Sequence, residues 1–190
     1  MSTNKEVADE TVNKMGCCSS NVIQPESIGG KNGVPRDSSL GNKEVEIIQN
    51  NWQVVEQDLQ GNGLLLFRRL FKEHPDVRTK FYFAVENNLE LDAIMEDDRL
   101  ARHAKGVMDT ISFAVSSLHD LPSLVPILKH LGAAHAKFQL QEEHFQAVGG
   151  ALIWTLENAI GGAFDESSKN AWLTLFGVVA ENMKKGAAEI

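Results

Sequence analysis

Residues 99–108 read RLARHAKGVM, and within them His103 stands where a helix should carry an apolar core residue. Leu100, His103, Val107, Ile111, Ala114 and Leu118 recur at offsets 0, 3, 7, 11, 14 and 18, one face of a 3.6-residue period. The histidine therefore faces inward, and a buried imidazole needs a partner.

Working outward, the pattern stays helical on both sides. Upstream, Val45, Ile48, Trp52, Val55 and Leu59 share one helix face. Gly61 and Gly63 then read as an interruption before a second stripe, Leu64, Phe67 and Phe71, which stops at His74-Pro75 because the residue before proline is biased away from helix. A short stretch around Val77 to Phe83 leads into the polar, acidic segment from Glu86 to Asp98. Downstream, Pro122 and Pro126 read as punctuation, with a short helix from about Leu124 to His135. Two long helices follow, one through Phe145, Val148, Leu152 and Leu156 closed by Gly161-Gly162, the other through Trp172, Phe176, Val179 and Met183 closed near Gly186. No strand, internal repeat or heptad register emerges. The expectation is an all-α domain of seven to eight helices over residues 43–190, too many and too unequal for a four-helix bundle.

Residues 1–42 carry five of the fifteen glycines and no aromatic side chain, so they cannot offset their ordering entropy by burial and read as a flexible extension. The whole chain of 190 residues holds 18 basic and 26 acidic side chains, a formal charge of -8, which argues against nucleic acid as a partner. No apolar run is long enough to span a bilayer and no secretory leader opens the sequence. The only cysteines, Cys17 and Cys18, are adjacent, a spacing that builds neither a disulfide framework nor a cysteine-ligated zinc site. A cytoplasmic location is expected.

A second imidazole shares the apolar face of its helix. Leu124, Leu128, Leu131 and His135 are spaced 4, 3 and 4, so two helices each present one histidine inward. Neutral imidazole is the commonest side chain used to ligate haem iron and other borderline metals. The bland alternative, two hydrogen-bonded core histidines, stays open on spacing alone. Zinc wants about four ligands, and neither position is surrounded by Cys or acidic groups. Phe67, Phe81, Val107, Leu131, Leu140, Phe145 and Val148 would suit the apolar edge of a planar cofactor, although such stripes are usually plain core. His74, His119, His130 and His144 lie at helix ends, in loops or on polar faces and read as surface or capping residues.

Taken together, these pieces resemble a globin, and within that family the neuroglobin and globin X branch. The resemblance rests on Trp52, LLFRRLF at 65–71, HPD at 74–76, Phe81, RHAKGVM at 102–108, LGAAH at 131–135, FQAVGGALIWTLENAIGGAF at 145–164 and AWLTLFGVV at 171–179. It runs from about Lys43 to Met183. The resemblance implies haem b held noncovalently, with His135 as proximal ligand and His103 as the distal residue that binds iron when no external ligand is present. It also implies that Phe67, Phe81, Val107, Leu131, Leu140, Phe145, Val148 and Phe176 contact the macrocycle. Gly106 replaces a lysine of neuroglobin and Phe83 a propionate-contacting tyrosine, which leaves Arg102, Lys105 and Lys137 as candidate propionate partners. No cysteine lies between 81 and 103, so the loop disulfide of neuroglobin cannot form.

The function so implied is reversible binding of O2, CO and NO gated by His103, together with redox or electron-transfer chemistry served by an electron donor. The alternatives are a five-coordinate globin for oxygen transport or storage and a globin-fold sensor or structural module. A nitrite reductase or nitric oxide dioxygenase activity would rest on family analogy alone. The chain is expected to be a monomer or weak dimer. Finally, MGCCSS at 15–20 fits a myristoylation pattern at Gly16 with Cys17 and Cys18 available for palmitoylation, a signal resembling that of globin X. It would require initiation at Met15 or cleavage after it, and would anchor the chain to a membrane surface.

Overall fold

A computed structural model describes residues 40–190. Of the extension read as flexible, residues 1–39 lie outside the described residues, and with them the acylation motif and Gly16, Cys17 and Cys18, while Asn42, the last residue assigned to that extension, already opens the first helix. Eight α-helices and four short 3-10 turns follow one another with no strand among the described residues. They are α1 (Asn42–Val55), α2 (Leu59–Glu73), α3 (Tyr82–Glu86), α4 (Leu91–Met95), α5 (Asp98–Ser116), α6 (Leu121–His135), α7 (Glu142–Ile160) and α8 (Glu166–Ala188). None is long and apolar enough to cross a membrane.

The helix starts are written locally. Asp58 accepts from the Gly61 N–H at 2.8 Å, Asp97 from Arg99 N–H at 2.8 Å and Asp165 from Ser168 N–H at 2.8 Å, each satisfying a donor that the first turn leaves without an intrahelical partner. On α7, Gln141 and His144 form a reciprocal capping box, with His144 Nδ1 accepting from Gln141 N–H at 2.9 Å, which makes this histidine a capping residue as expected. Gly161, at φ +67°, ends α7 in a backbone conformation that side chains disfavour.

Three sequence expectations are corrected. Gly61 and Gly63 do not interrupt; both lie inside α2, the first at its capped start and the second where α2 crosses α5. A Cβ at Gly63 would lie 3.0 Å from the Ala104 carbonyl oxygen and 3.0 Å from Met108 Cγ, so glycine is there for close approach. Pro126 does not punctuate. It sits in the second turn of α6, which starts at Leu121, with Pro122 in the first turn where a missing N–H is harmless. Gly186 does not close the last helix, which continues to Ala188. Gly186 and Gly132 instead let α8 and α6 touch backbone to backbone, since a Cβ on either would collide with the main-chain carbonyl of Lys129 or Met183. The acidic segment also contains a short helix, α4, that buries Ile94 and Met95.

The core lies between α1, α2, α5, α6, α7 and α8. Trp52 and Trp172 pack with ring centroids 5.7 Å apart, and each indole N–H is satisfied, Trp52 donating to Ser112 Oγ and Trp172 to Asn51 Oδ1. The expected stripe on α5 divides. Leu100, Ala114 and, just past the end of α5, Leu118 are buried, whereas His103, Val107 and Ile111 are half-buried and line a cavity.

Candidate haem pocket

The cavity encloses about 720 Å3, within the roughly 300–1,000 Å3 of cofactor-sized sites. Its walls come from α2, α5, α6, α7 and α8 and from the turn before α3. Both inward histidines line it, as do all eight apolar side chains singled out above, Phe67, Phe81, Val107, Leu131, Leu140, Phe145, Val148 and Phe176.

His135 ends α6, and its Nδ1 lies 2.8 Å from the carbonyl oxygen of Leu131, one turn back. A carbonyl only accepts, so Nδ1 carries the proton and Nε2 keeps its lone pair for the cavity. Opposite it, His103 is held between two aromatic rings, Phe67 at 5.3 Å and Phe81 at 5.4 Å between centroids, both nearly edge to face. Burial pushes His103 below its ordinary pKa, and the nearby His135 adds to the effect, so the ring stays neutral and able to donate a lone pair.

The two imidazole centroids stand 6.3 Å apart. One metal ion with a ring nitrogen about 2.0 Å away on either side needs a centroid span of about 6 Å. Among the described residues no cluster of three His, Cys, Asp or Glu is placed to hold a metal alone. The donor set therefore fits an ion that brings its own equatorial ligands.

The rim is cationic. Arg102 and Lys137 line the cavity. Lys105 does not; its ammonium is drawn along the outside of α5 to Asp109 at 2.7 Å, which corrects its candidacy. Two rim cations escaped the sequence reading, Lys80 and Arg99. Arg99 lies one helical turn before His103, so the 3.6-residue period was the signal that could have found it. Its guanidinium sits 4.7 Å over the Phe83 ring and is gripped by Asp97, whose carboxyl is lowered to about 2 by that hydrogen-bonded partner.

The sequence profile of the globin family matches residues 64–183. This chain belongs to that family. Among curated relatives, the neuroglobin of Chaenocephalus aceratus is 31% identical over 150 residues, covering 79% of this chain and 94% of the relative. The neuroglobin of Danio rerio is 30% identical over the same shares. Among solved structures, the haemoglobin of the botfly Gasterophilus intestinalis superposes with a TM-score of 0.70 at 17% identity, covering 78% of this globin and 99% of that chain. A hexacoordinated haem protein from an anhydrobiotic tardigrade gives a TM-score of 0.71 at 20% identity, with 78% and 96% covered. The globin is thus neuroglobin-like in sequence. Family membership implies a haem cofactor, and the cavity, its apolar walls and its two opposed imidazoles fit one.

Proposed function

We propose that this globin holds haem b between His135 and His103, with both imidazoles on the iron when no external ligand is present, and serves redox or reactive small-ligand chemistry instead of bulk oxygen supply. The observation that carries the reading is the 6.3 Å span between the two rings across an apolar cavity. The neuroglobins and the hexacoordinated haem protein among its relatives support it. The haem would supply an iron able to bind O2, CO and NO and to change oxidation state.

His135 acts as the fixed ligand, oriented by the Leu131 carbonyl. His103 acts as the releasable one: it leaves before a gas can bind, so apparent affinity falls by the fraction of molecules that are open. Because both donors are neutral nitrogens, gain or loss of an electron asks little rearrangement of the protein. Phe67, Phe81, Val107, Leu131, Leu140, Phe145, Val148 and Phe176 shield the ring from water, and the rim cations Arg102, Lys137, Lys80 and Arg99 face its carboxylates.

The absorption spectrum of the deoxygenated ferrous protein tests the reading. Low-spin six-coordinate bands without added ligand are expected; a high-spin five-coordinate spectrum would overturn it in favour of an oxygen carrier. His103→Leu should bind CO about tenfold faster or more if nine-tenths of the wild-type molecules are closed. Equal rates would remove the gate.

A further inference from the structure

The two rings that hold the distal imidazole differ in footing. Phe67, at 5.3 Å from His103 between centroids, sits inside the long helix α2. Phe81, at 5.4 Å, belongs to the turn before α3, and its backbone carbonyl accepts from the Ala84 N–H at 2.9 Å. The place of Phe81 is therefore tied to α3, a helix of five residues whose buried side chains are Phe83 and Ala84. So short a helix is not stable by itself and takes its position from what its buried side chains touch.

Phe83 reaches α5 by two routes. Its ring packs edge to face on Phe81 with centroids 6.0 Å apart, and Phe81 touches His103. On its other route the Arg99 guanidinium lies over the Phe83 ring, 4.7 Å from its centre. Arg99 stands on α5 one turn before His103. Its Nε and one terminal nitrogen donate to the two carboxylate oxygens of Asp97 at 2.9 and 2.7 Å, and the same carboxylate accepts from the Arg99 backbone N–H and caps α5. A fork held at two points is fixed where it covers Phe83. The contacts close a loop: Arg99 to Phe83, Phe83 to Phe81, Phe81 to His103, with both ends on α5.

We propose that Arg99, seated on Phe83, is a positioning residue that clasps α3 to α5 and thereby sets how often His103 leaves the metal. The inference rests on the proposed function and adds what regulates its gate. With a ring on either side, the imidazole leaves by carrying α5 away from Phe81, while Arg99 holds α3 and α5 together one turn earlier. The clasp is satisfied in the closed geometry and strained in the open one, so it favours the closed state by a difference in interaction between the two.

The test uses the full-length ferrous haem protein. At saturating CO the observed binding rate becomes the rate at which His103 leaves, and stopped flow reads it in Arg99→Gln, Phe83→Leu and the double variant; the six-coordinate share of the spectrum without CO is the second readout. Each single substitution should raise the release rate about two- to fivefold, the range that a cation–aromatic contact at an exposed site supplies, and lower the six-coordinate share. The double variant should be no faster than either single one, because both remove the same contact. Arg99→Lys, which keeps the charge, should fall between wild type and Arg99→Gln. Arg68→Gln, which breaks the exposed ion pair of α2 with Asp92 on α4, should match wild type. Equal release rates in wild type and Arg99→Gln would overturn the clasp. So would effects that multiply in the double variant, the result expected if Arg99 acted through the cofactor's carboxylates alone. Failure of the underlying reading is seen separately and first, as wild-type protein that takes up no haem or shows a five-coordinate ferrous spectrum, and it removes the clasp with it.

Discussion

Gly132→Ala places one methyl group between α6 and α8, where it would overlap the main-chain carbonyl of Met183. A backbone carbonyl cannot rotate aside as a side chain can, so the helices must part by roughly 1–1.5 Å to restore ordinary contact distances. Overpacking of this kind costs about 1–3 kcal/mol, and the better helix propensity of alanine returns about 1 kcal/mol of it. At the upper end the net loss is about 2 kcal/mol, a fall in Tm of roughly 4–8 °C for a domain of this size. The functional effect should be larger than the stability effect. His135 lies three residues from Gly132 on the same helix, and a shift near 1 Å exceeds the roughly 0.2 Å tolerance of a metal–nitrogen bond. The low-spin population of the ferrous spectrum should fall in the variant. Gly177→Ala, on α8 with nothing within 4 Å of the added carbon, should gain stability and leave the spectrum alone. If Gly132→Ala keeps both its Tm and its spectrum, or if Gly177→Ala suffers equally, the backbone contact does not position the proximal histidine.

Asn51→Ala leaves the buried indole N–H of Trp172 without its acceptor at 3.1 Å, and urea unfolding should show a loss of about 1–3 kcal/mol; a loss near zero would mean that Trp172 finds another partner. Asp97, lowered to about 2 by Arg99, should titrate by NMR well below the ordinary 3.8 and move back toward it in Arg99→Gln. The sign follows from a folded pKa below the unfolded one: whatever Asp97 contributes is fully present above about pH 4 and is lost as the pH falls through about 2. An Asp97 titration that ignores the loss of Arg99 would contradict the hydrogen-bonded pairing.

Much of the site was legible because helical periodicity is a local property. The apolar spacing around His103 and His135 placed both imidazoles inward, and the seven apolar residues expected around a flat cofactor all line one cavity, together with Phe176, which only the family resemblance named. Helix ends were less legible wherever a residue with a strong local preference was overruled from outside. Gly63 and Gly186 read as breaks on propensity, yet each sits inside a helix, because what matters there is the helix crossing above it and not the backbone freedom of glycine. Pro126 likewise costs one intrahelical bond but stays helical within a segment anchored by Leu124 and Leu128. The rim was legible only in part. Arg102 and Lys137 reach the cavity, whereas Lys105 is diverted by Asp109, a carboxylate one turn away that competes for the same ammonium.

The amino-acid sequence by itself determined which faces of the helices are apolar and that two of them carry a histidine, since both follow from spacing along one chain. It could not set the distance between those histidines. That distance, 6.3 Å, lies between two consecutive helices, α5 and α6, but it depends on how closely each meets a helix remote from it in the chain, α2 against α5 and α8 against α6. Contacts between remote segments decide it, and no local pattern encodes them.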